Sequence, residues 1–428
     1  MTASLLERRL RVLGRGAPLF YDEPLQVVSG EGVWLLGADG RRYLDAYNNV
    51  PILGHCHPEV VQAIARQAGQ LNVHTRYLHE GVVAYSERLS ASFNGLDRVV
   101  LTCSGSEANE LALRMARLVT GRQGILCSNN TYHGNTEAVD ELSTTFRQGR
   151  PGSDRVRALT YPDSYRPLGG LGGEALLEAH LAEVREAIAH FQHNGMGLAG
   201  LLICPVFANE GLPEPLPGYL EGVAHLVSQA GGLLILDEVQ AGFARTGRLW
   251  GHQHAGIAPD IVTLGKPMGN GHPVAGLVSR ADIVDDFRER VMYFNTFAGN
   301  PVSCAAATAV LDVIEREDLA GHAGRLGREV TEALRGLMSR HPAIGDVRGR
   351  GMFWAVELIR PEGDRLPDPE RAHAVVNWMR HHGVLISRLG QHDNVLKIRP
   401  PLAFQPEHAR LLIDTLDQAL GQPFEPTV

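Results

Sequence analysis

The feature that most restricts the fold is the alternation, in the middle of the chain, of short wholly apolar runs with stretches of helical periodicity. The runs RVVLTCS, GILCSN, LAGLLICPV, GGLLILDEV, DIVTLGKP and PVAGLVSR have no polar face. A strand of that kind needs cover on both sides, and the segments between the runs, EANELALRMARLV and the stretch around Tyr219 to Ala230, supply it. The expected architecture is therefore α/β, with a mostly parallel central sheet between helices and the chemistry at the strand ends. Residues 25–45 read as short antiparallel strands, helical spacing starts at Pro58, and a second α/β pattern follows about residue 320. These changes divide the chain into an N-terminal segment, 1–57, that joins a small domain, a large domain, 58–319, and a C-terminal small domain, 320–428.

Composition narrows the partner. A net charge of −8 offers no basic footprint for nucleic acid or anionic membrane. No apolar run is long enough to span a bilayer, and the N-terminus lacks the apolar core of a secretory signal. Five scattered cysteines without a CxxC pair point to a reducing, cytoplasmic setting. His55-Cys56-His57 is too compact to converge on one ion and has no further ligand cluster, so no metal is expected. A small-molecule substrate remains.

The chain has 38 arginines and two lysines, Lys266 and Lys397. Arginine cannot take the place of lysine where an amine must lose its proton and attack a carbonyl. Lys266 follows an apolar strand in the Gly- and Pro-rich loop TLGKPMGNGHP, where an α/β sheet places its reactive groups; the competing reading is a surface lysine. A Schiff base on such a lysine suggests pyridoxal phosphate, whose ring nitrogen needs an acid to stay protonated. Asp237 ends GGLLIL one strand–helix–strand unit earlier; as an isolated residue it reads equally well as a helix cap. Val239 would pack on the ring and Gln240 would reach its phenolic oxygen. Gly105 and Ser106, at the strand-to-helix turn SGSEANE, would cradle the phosphate on backbone N–H groups, and Tyr132 in NTYHGN would stack on the ring.

The ordered set GHCHP, SGSEAN, YHG, LDEVQAGFARTG, GKPMGNGHPVAG and NTFAGNP resembles the class III (omega) aminotransferases of PLP fold type I over nearly the whole chain. The resemblance implies that Lys266 is the Schiff-base lysine, Asp237 the pyridinium partner, and Gly105 and Ser106 phosphate ligands. It places His133 of YHG among the cofactor-binding residues and assigns Thr296 to the phosphate of a neighbouring subunit, hence a homodimer with shared sites.

Two strings depart from the common pattern. Family members that use glutamate and 2-oxoglutarate carry EP(V/I)QG, whose Glu pairs with a carboxylate-binding Arg in a string like RxAPPL. Here CPVFANEG puts Cys204 in place of that Glu, and KIRPPL puts Lys397 in place of the Arg with Arg399 two residues on. The strings YNNVPILGHCHP, LNVHTRYLHE, KPMGNGHP, YFNTFAGNPVSCA and NVLKIRPP are similar to the subgroup that contains ethanolamine-phosphate and phosphohydroxylysine phospho-lyases. Candidate substrate residues are Asn49, Lys397 and Arg399, with Arg76 and His79 as binders of an anionic group. The first expectation is transfer of the amino group of a terminal or omega amine to a keto acid, pyruvate before 2-oxoglutarate. The alternative is elimination of phosphate and ammonia from a phosphorylated amino alcohol, and the third a silent PLP-binding protein.

Overall fold

The computed structural model describes residues 4–146 and 152–423. Its largest sheet has seven strands in the order Arg98–Thr102, Ala275–Ser279, Ile261–Leu264, Leu233–Asp237, Leu198–Ile203, Gly124–Ser128 and Val156–Leu159. The pairings from Ile261–Leu264 to Val156–Leu159 are all parallel. Ala275–Ser279 runs antiparallel to both its neighbours. The sheet is thus mostly parallel, as the unbroken apolar runs require, and it matches the expected fold class. The chain goes from Gly124–Ser128 to the edge strand Val156–Leu159, then returns to the other side of Gly124–Ser128 with Leu198–Ile203. Such a reversal leaves a crevice at the C-terminal strand ends.

Helix Gly105–Thr120 packs on the sheet and leads back from the first strand. Ser104 caps it, its hydroxyl accepting the Glu107 N–H at 3.2 Å, and Gly121 ends it in the left-handed region at φ 66°. Leu111, Leu113 and Met115 are buried in the layer beneath it, each contributing about 1.5–3 kcal/mol. On the other face helix Pro301–Arg316, capped by Asn300 with proline in its first turn, packs on helices Pro58–Ala68 and Glu80–Ala91.

Two smaller four-stranded sheets flank this body. Val27–Glu31, Trp34–Gly37 and Arg42–Asp45 form an antiparallel ribbon, and Arg42–Asp45 pairs in parallel with Val384–Leu385. The second sheet has the order Ile344–Arg350, Phe353–Leu358, Val395–Ile398, Ser387–Leu389. Arg399, just beyond Val395–Ile398, donates its backbone N–H to Ala46 at 2.8 Å, which ties the C-terminal sheet to the N-terminal segment. No helix among the described residues is long and apolar enough to cross a membrane.

Candidate active site

Five strand ends of the large sheet meet around one cavity lined by Gly105, Ser106, Tyr132, His133, Gly134, Cys204, Asn209, Asp237, Val239, Gln240 and Lys266. One wall is the start of helix Gly105–Thr120. The Ser104 side chain uses the Glu107 N–H, and the Gly105 and Ser106 N–H groups have no protein acceptor among the described residues. They are unspent donors at the positive end of a helix, the arrangement that holds a phosphate. The wall is tight: a Cβ on Gly265 would stand 3.3 Å from Gly105 N and Cα, so glycine there lets the lysine-bearing loop approach the helix start.

Asp237 closes its strand beside Thr263 of the neighbouring strand, so its carboxylate and the Lys266 amine leave adjacent parallel strands at the same edge. The next residue, Glu238, points elsewhere, binding His252 Nδ1 at 2.7 Å. Asp237 Oδ2 is bound by His133 Nδ1 at 2.7 Å and by Asn109 Nδ2 at 3.1 Å, and Oδ1 accepts the Val239 N–H at 3.0 Å. Burial pushes this carboxyl up. The hydrogen bond and charge of His133, the charge of Lys266 and the Val239 N–H outweigh that and hold it below its ordinary value. The result is a buried acid that stays ionised, able to keep a proton on a ring nitrogen placed against it.

Lys266 has φ 24°, in the left-handed region that a side chain disfavours, directly after the extended Gly265. That strain aims the side chain into the cavity. It is partly exposed and lines the cavity. Burial depresses the amine below its ordinary value, Asp237 opposes this and Arg399 adds to it. A lysine of this kind can shed its proton and act as nucleophile and base.

Behind the opposite wall stand Lys397 and Arg399. Lys397 Nζ reaches Asn209 Oδ1 at 3.4 Å and lies 5.6 Å from the centre of the Phe353 ring. Arg399 Nη1 donates to Gln240 Oε1, and its Nε donates to the Tyr47 carbonyl at 3.1 Å. Gln240 Nε2 donates to Asn209 Oδ1 at 3.2 Å, which ties both cations to the cavity wall. Both side chains are buried, and neither has a carboxylate within ion-pair distance among the described residues. Cys204 lines the cavity beside them, its thiol pushed far up by burial and the nearby Asp237 and Glu210.

The cavity therefore gathers Lys266, Asp237, Gly105, Ser106, Tyr132, His133, Val239 and Gln240, with Lys397 and Arg399 one contact behind. These residues fit the cofactor that the sequence resemblance implies: free N–H donors for its phosphate, an ionised acid for its ring nitrogen, and a desolvated amine. Asn49 is buried with its carboxamide nitrogen unpartnered among the described residues, two residues from the Tyr47 carbonyl that anchors Arg399. Arg76, His79 and Thr296 do not line this cavity. Arg76 is exposed over the Phe294 ring at 3.9 Å, His79 precedes helix Glu80–Ala91, and Thr296 is exposed two residues beyond Phe294. His55 is held by Asp45 at 2.7 Å, and among the described residues no group of three or more His, Cys, Asp or Glu side chains is placed to hold a metal. Asn109 and Asn209 escaped the sequence reading. Asn109 sits inside SGSEAN and Asn209 inside CPVFANEG, so the motif strings contained both, but neither string says that its amide faces Asp237 or Lys397.

Residues 20–420 match the family model described as Aminotransferase class-III. An Arthrobacter phospholyase, solved in complex with phosphoethanolamine, superposes with a TM-score of 0.95 at 48% identity, covering 98% of this chain and all of that one. A Drosophila melanogaster protein named alanine–glyoxylate aminotransferase 2-like is 40% identical over 94% of this chain and 84% of its own length. The Caenorhabditis elegans ethanolamine-phosphate phospho-lyase homolog 1 is 36% identical over 97% of this chain and 93% of its own.

Proposed function

The chain belongs to the aminotransferase class-III family, and from that premise we propose that it is a pyridoxal-phosphate-dependent phospho-lyase, which releases phosphate and ammonia from a phosphorylated amino alcohol such as phosphoethanolamine. The observation that carries this reading is the pair of buried basic residues, Lys397 and Arg399, neither of which has a carboxylate within ion-pair distance among the described residues. A transaminase that alternates between a dicarboxylate and an uncharged side chain must mask its carboxylate-binding cation in one half-reaction. Cys204, where the resemblance would place the masking glutamate, cannot do so: its thiol is buried and neutral. Basic groups that no side chain masks suit an enzyme that handles one anionic substrate in every cycle. The 48% identity to a phospholyase crystallised with phosphoethanolamine supports the same choice. Elimination thereby moves ahead of transamination, which the sequence alone placed first.

When bound, pyridoxal phosphate supplies an aldehyde carbon that condenses with amines and a protonated ring that draws electrons from the amine-bearing carbon. In the proposed assignment Gly105 and Ser106 hold its phosphate and Asp237 keeps its ring nitrogen protonated. Val239 and Tyr132 flank the ring. Lys266 would bind the cofactor covalently through its amine and, once that amine is free, would remove the proton from the amine-bearing carbon of the substrate. A homodimer is part of the reading. Leu78, Met292 and Phe297, exposed by 99%, 82% and 73%, put large apolar groups on the loops that carry Arg76, His79 and Thr296, and such a surface calls for a partner. No disulfide joins any of the five cysteines among the described residues, which supports a reducing compartment, such as the cytoplasm.

The second reading is transamination of a terminal or omega amine with pyruvate. The 40% identity to an aminotransferase 2-like relative favours it. The two separate when holoenzyme receives phosphoethanolamine without any keto acid. A phospho-lyase regenerates its cofactor in each cycle, so phosphate and ammonia accumulate far beyond the enzyme concentration. A transaminase stops after one equivalent and restarts on pyruvate. Stalling relieved by pyruvate would overturn the phospho-lyase reading.

A further inference from the structure

We propose that Lys397 donates the proton that the departing phosphate oxygen needs, an inference that rests on the phospho-lyase reading above. A phosphate monoester is largely a dianion near neutral pH, since its second ionisation lies at about pH 6. Breaking the carbon–oxygen bond without a proton would release a trianion, a far more basic leaving group than hydrogen phosphate. Some group near the leaving oxygen has to supply that proton.

Three observations select Lys397. The first is chemical economy of type. Of 40 basic residues only two are lysine, and the other is Lys266. Arg399, two residues along and buried beside it, already supplies a permanent positive charge, so charge alone does not account for lysine at 397. What lysine adds is a proton that it can lose. The second is geometric. Lys397 is 4% exposed, yet its ammonium has a single hydrogen bond, the long 3.4 Å contact to Asn209 Oδ1 on the cavity wall, and rests against the Phe353 ring. Two N–H donors of a buried ammonium are left without an acceptor among the described residues, a costly state that an arriving phosphate relieves. The third is electrostatic. Burial lowers the amine well below its ordinary value. Arg399 on the same segment and Lys266 from the loop after Ile261–Leu264 lower it further, and only Cys204 and Glu210, from the segment after Leu198–Ile203, oppose them. The proton is therefore readily given up.

The step balances without a further reactant. Lys266 takes the proton from the amine-bearing carbon, and that C–H electron pair becomes a carbon–carbon π bond as the adjacent carbon–oxygen bond breaks. The pair of the broken bond stays on the ester oxygen, which takes one proton from Lys397 Nζ. Hydrogen phosphate departs, the proton held by Lys266 passes to the terminal carbon of the new double bond, and Lys397, now a neutral amine, recovers a proton from the water that hydrolyses the remaining carbon–nitrogen bond.

The test uses the wild-type holoenzyme with Lys397→Arg and Lys397→Gln, each first shown to bind cofactor by its visible absorbance. Lys397→Arg keeps the charge and should still bind phosphoethanolamine, but kcat for phosphate release should fall by roughly 10²-fold or more, the usual worth of a positioned acid. The variant-to-wild-type ratio of kcat should then rise by about tenfold between pH 8 and pH 7, because the substrate monoanion brings its own proton. A residue that only binds the phosphate gives a ratio that does not change with pH. With just two lysines, ¹³Cε-lysine labelling yields two NMR signals. The signal lost in Lys397→Gln should titrate below the ordinary lysine value in wild type and move to higher pH when inorganic phosphate is added. Wild-type enzyme that releases no phosphate overturns the phospho-lyase reading and this inference with it. Wild-type release alongside a Lys397→Arg rate within about threefold, a pH-independent ratio, or a Lys397 signal that ignores phosphate overturns the inference alone.

Discussion

His133 Nδ1 stands 2.7 Å from Asp237 Oδ2 across a sequence separation of 104 residues, and it is the main group that keeps this buried carboxyl ionised. The histidine is fixed from behind, its Nε2 lying 3.3 Å from Thr131 Oγ1 and its carbonyl accepting from Asn109 Nδ2 at 2.7 Å. The acid that would hold the ring proton is thus itself held by a second tier of side chains.

Replacing that support should move the acid limb of the rate profile. The folded-state carboxyl lies below its ordinary value, so Asp237 is charged throughout the neutral range and loses its charge only as pH falls through that lowered value. In His133→Leu the charge-assisted hydrogen bond is gone, a loss of about 1.5–3 kcal/mol, and the carboxyl rises from its lowered value. The acid limb of kcat/KM should shift to higher pH, with cofactor still bound. Asp237→Asn should bind cofactor and lose activity by roughly 10²-fold or more at every pH. An unshifted limb in His133→Leu would mean that burial is offset elsewhere.

Lys266→Ala should remove the covalent attachment while the Gly105 and Ser106 donors still retain some cofactor. Borohydride reduction followed by peptide mass analysis should find the pyridoxyl adduct at Lys266 in wild type and at no residue in the variant. Turnover should drop by roughly 10²–10⁴-fold or more, because the nucleophile and the proton carrier are lost together. An adduct at Lys397 in wild type would transfer the role to the other lysine.

Where strand ends alone decide, the sequence was sufficient to locate residues that line the cavity. Asp237 and Lys266 end unbroken apolar runs, and such runs can only be interior strands whose C-terminal edges open on the crevice. Gly105 and Ser106 follow from the strand-to-helix turn for the same reason. What strings of residues do not encode is which loop faces which. The His133–Asp237 bond and the Lys397–Asn209 contact, 188 residues apart, depend on the non-sequential strand order and on how the C-terminal sheet leans over the crevice. Helix Gly173–His193 also went unread, since its apolar positions are interrupted by His180 and by charged residues and give only a weak stripe. The antiparallel insertion of Ala275–Ser279 between Arg98–Thr102 and Ile261–Leu264 likewise leaves no mark on residue pattern, because a covered strand is apolar on both faces in either direction.

Gly134 should be irreplaceable for cofactor affinity. Its φ is 146°, and an added Cβ would stand 2.5 Å from Ser106 Oγ and 2.9 Å from Ser106 Cα, so no rotamer of Ser106 relieves the clash. Gly134→Ala must displace the helix start that bears the phosphate donors, at a cost of about 1–3 kcal/mol. Equilibrium dialysis should read this as a roughly 5- to 150-fold rise in the cofactor Kd. Gly336→Ala is the control. That glycine lies within helix Leu319–Leu337 with open space around it, so the change should raise stability by up to about 1 kcal/mol and leave cofactor affinity alone.

The proposed shared-site dimer makes a prediction that no isolated subunit could meet. Thr296 is exposed on a loop outside its own chain's cavity, so Thr296→Asp should leave the fold of its own subunit intact. If Thr296 instead contacts the cofactor phosphate of a neighbour, the new carboxylate repels that phosphate and disables the neighbour's site. Lys266→Ala disables the site of the subunit that carries it. A heterodimer of one subunit of each kind then has one site with both lesions and one with neither. Random pairing of equal amounts makes about half the dimers mixed, so about a quarter of all sites should be intact. Co-expressed and purified, the two variants should regain activity well above the sum of the separate preparations. The recovered kcat per intact site should equal that of wild type, and cofactor titration should count the intact sites independently. Activity that stays at the sum of the two parents, with mixed dimers demonstrated by native mass spectrometry, would show that each subunit completes its own site without Thr296 of its partner.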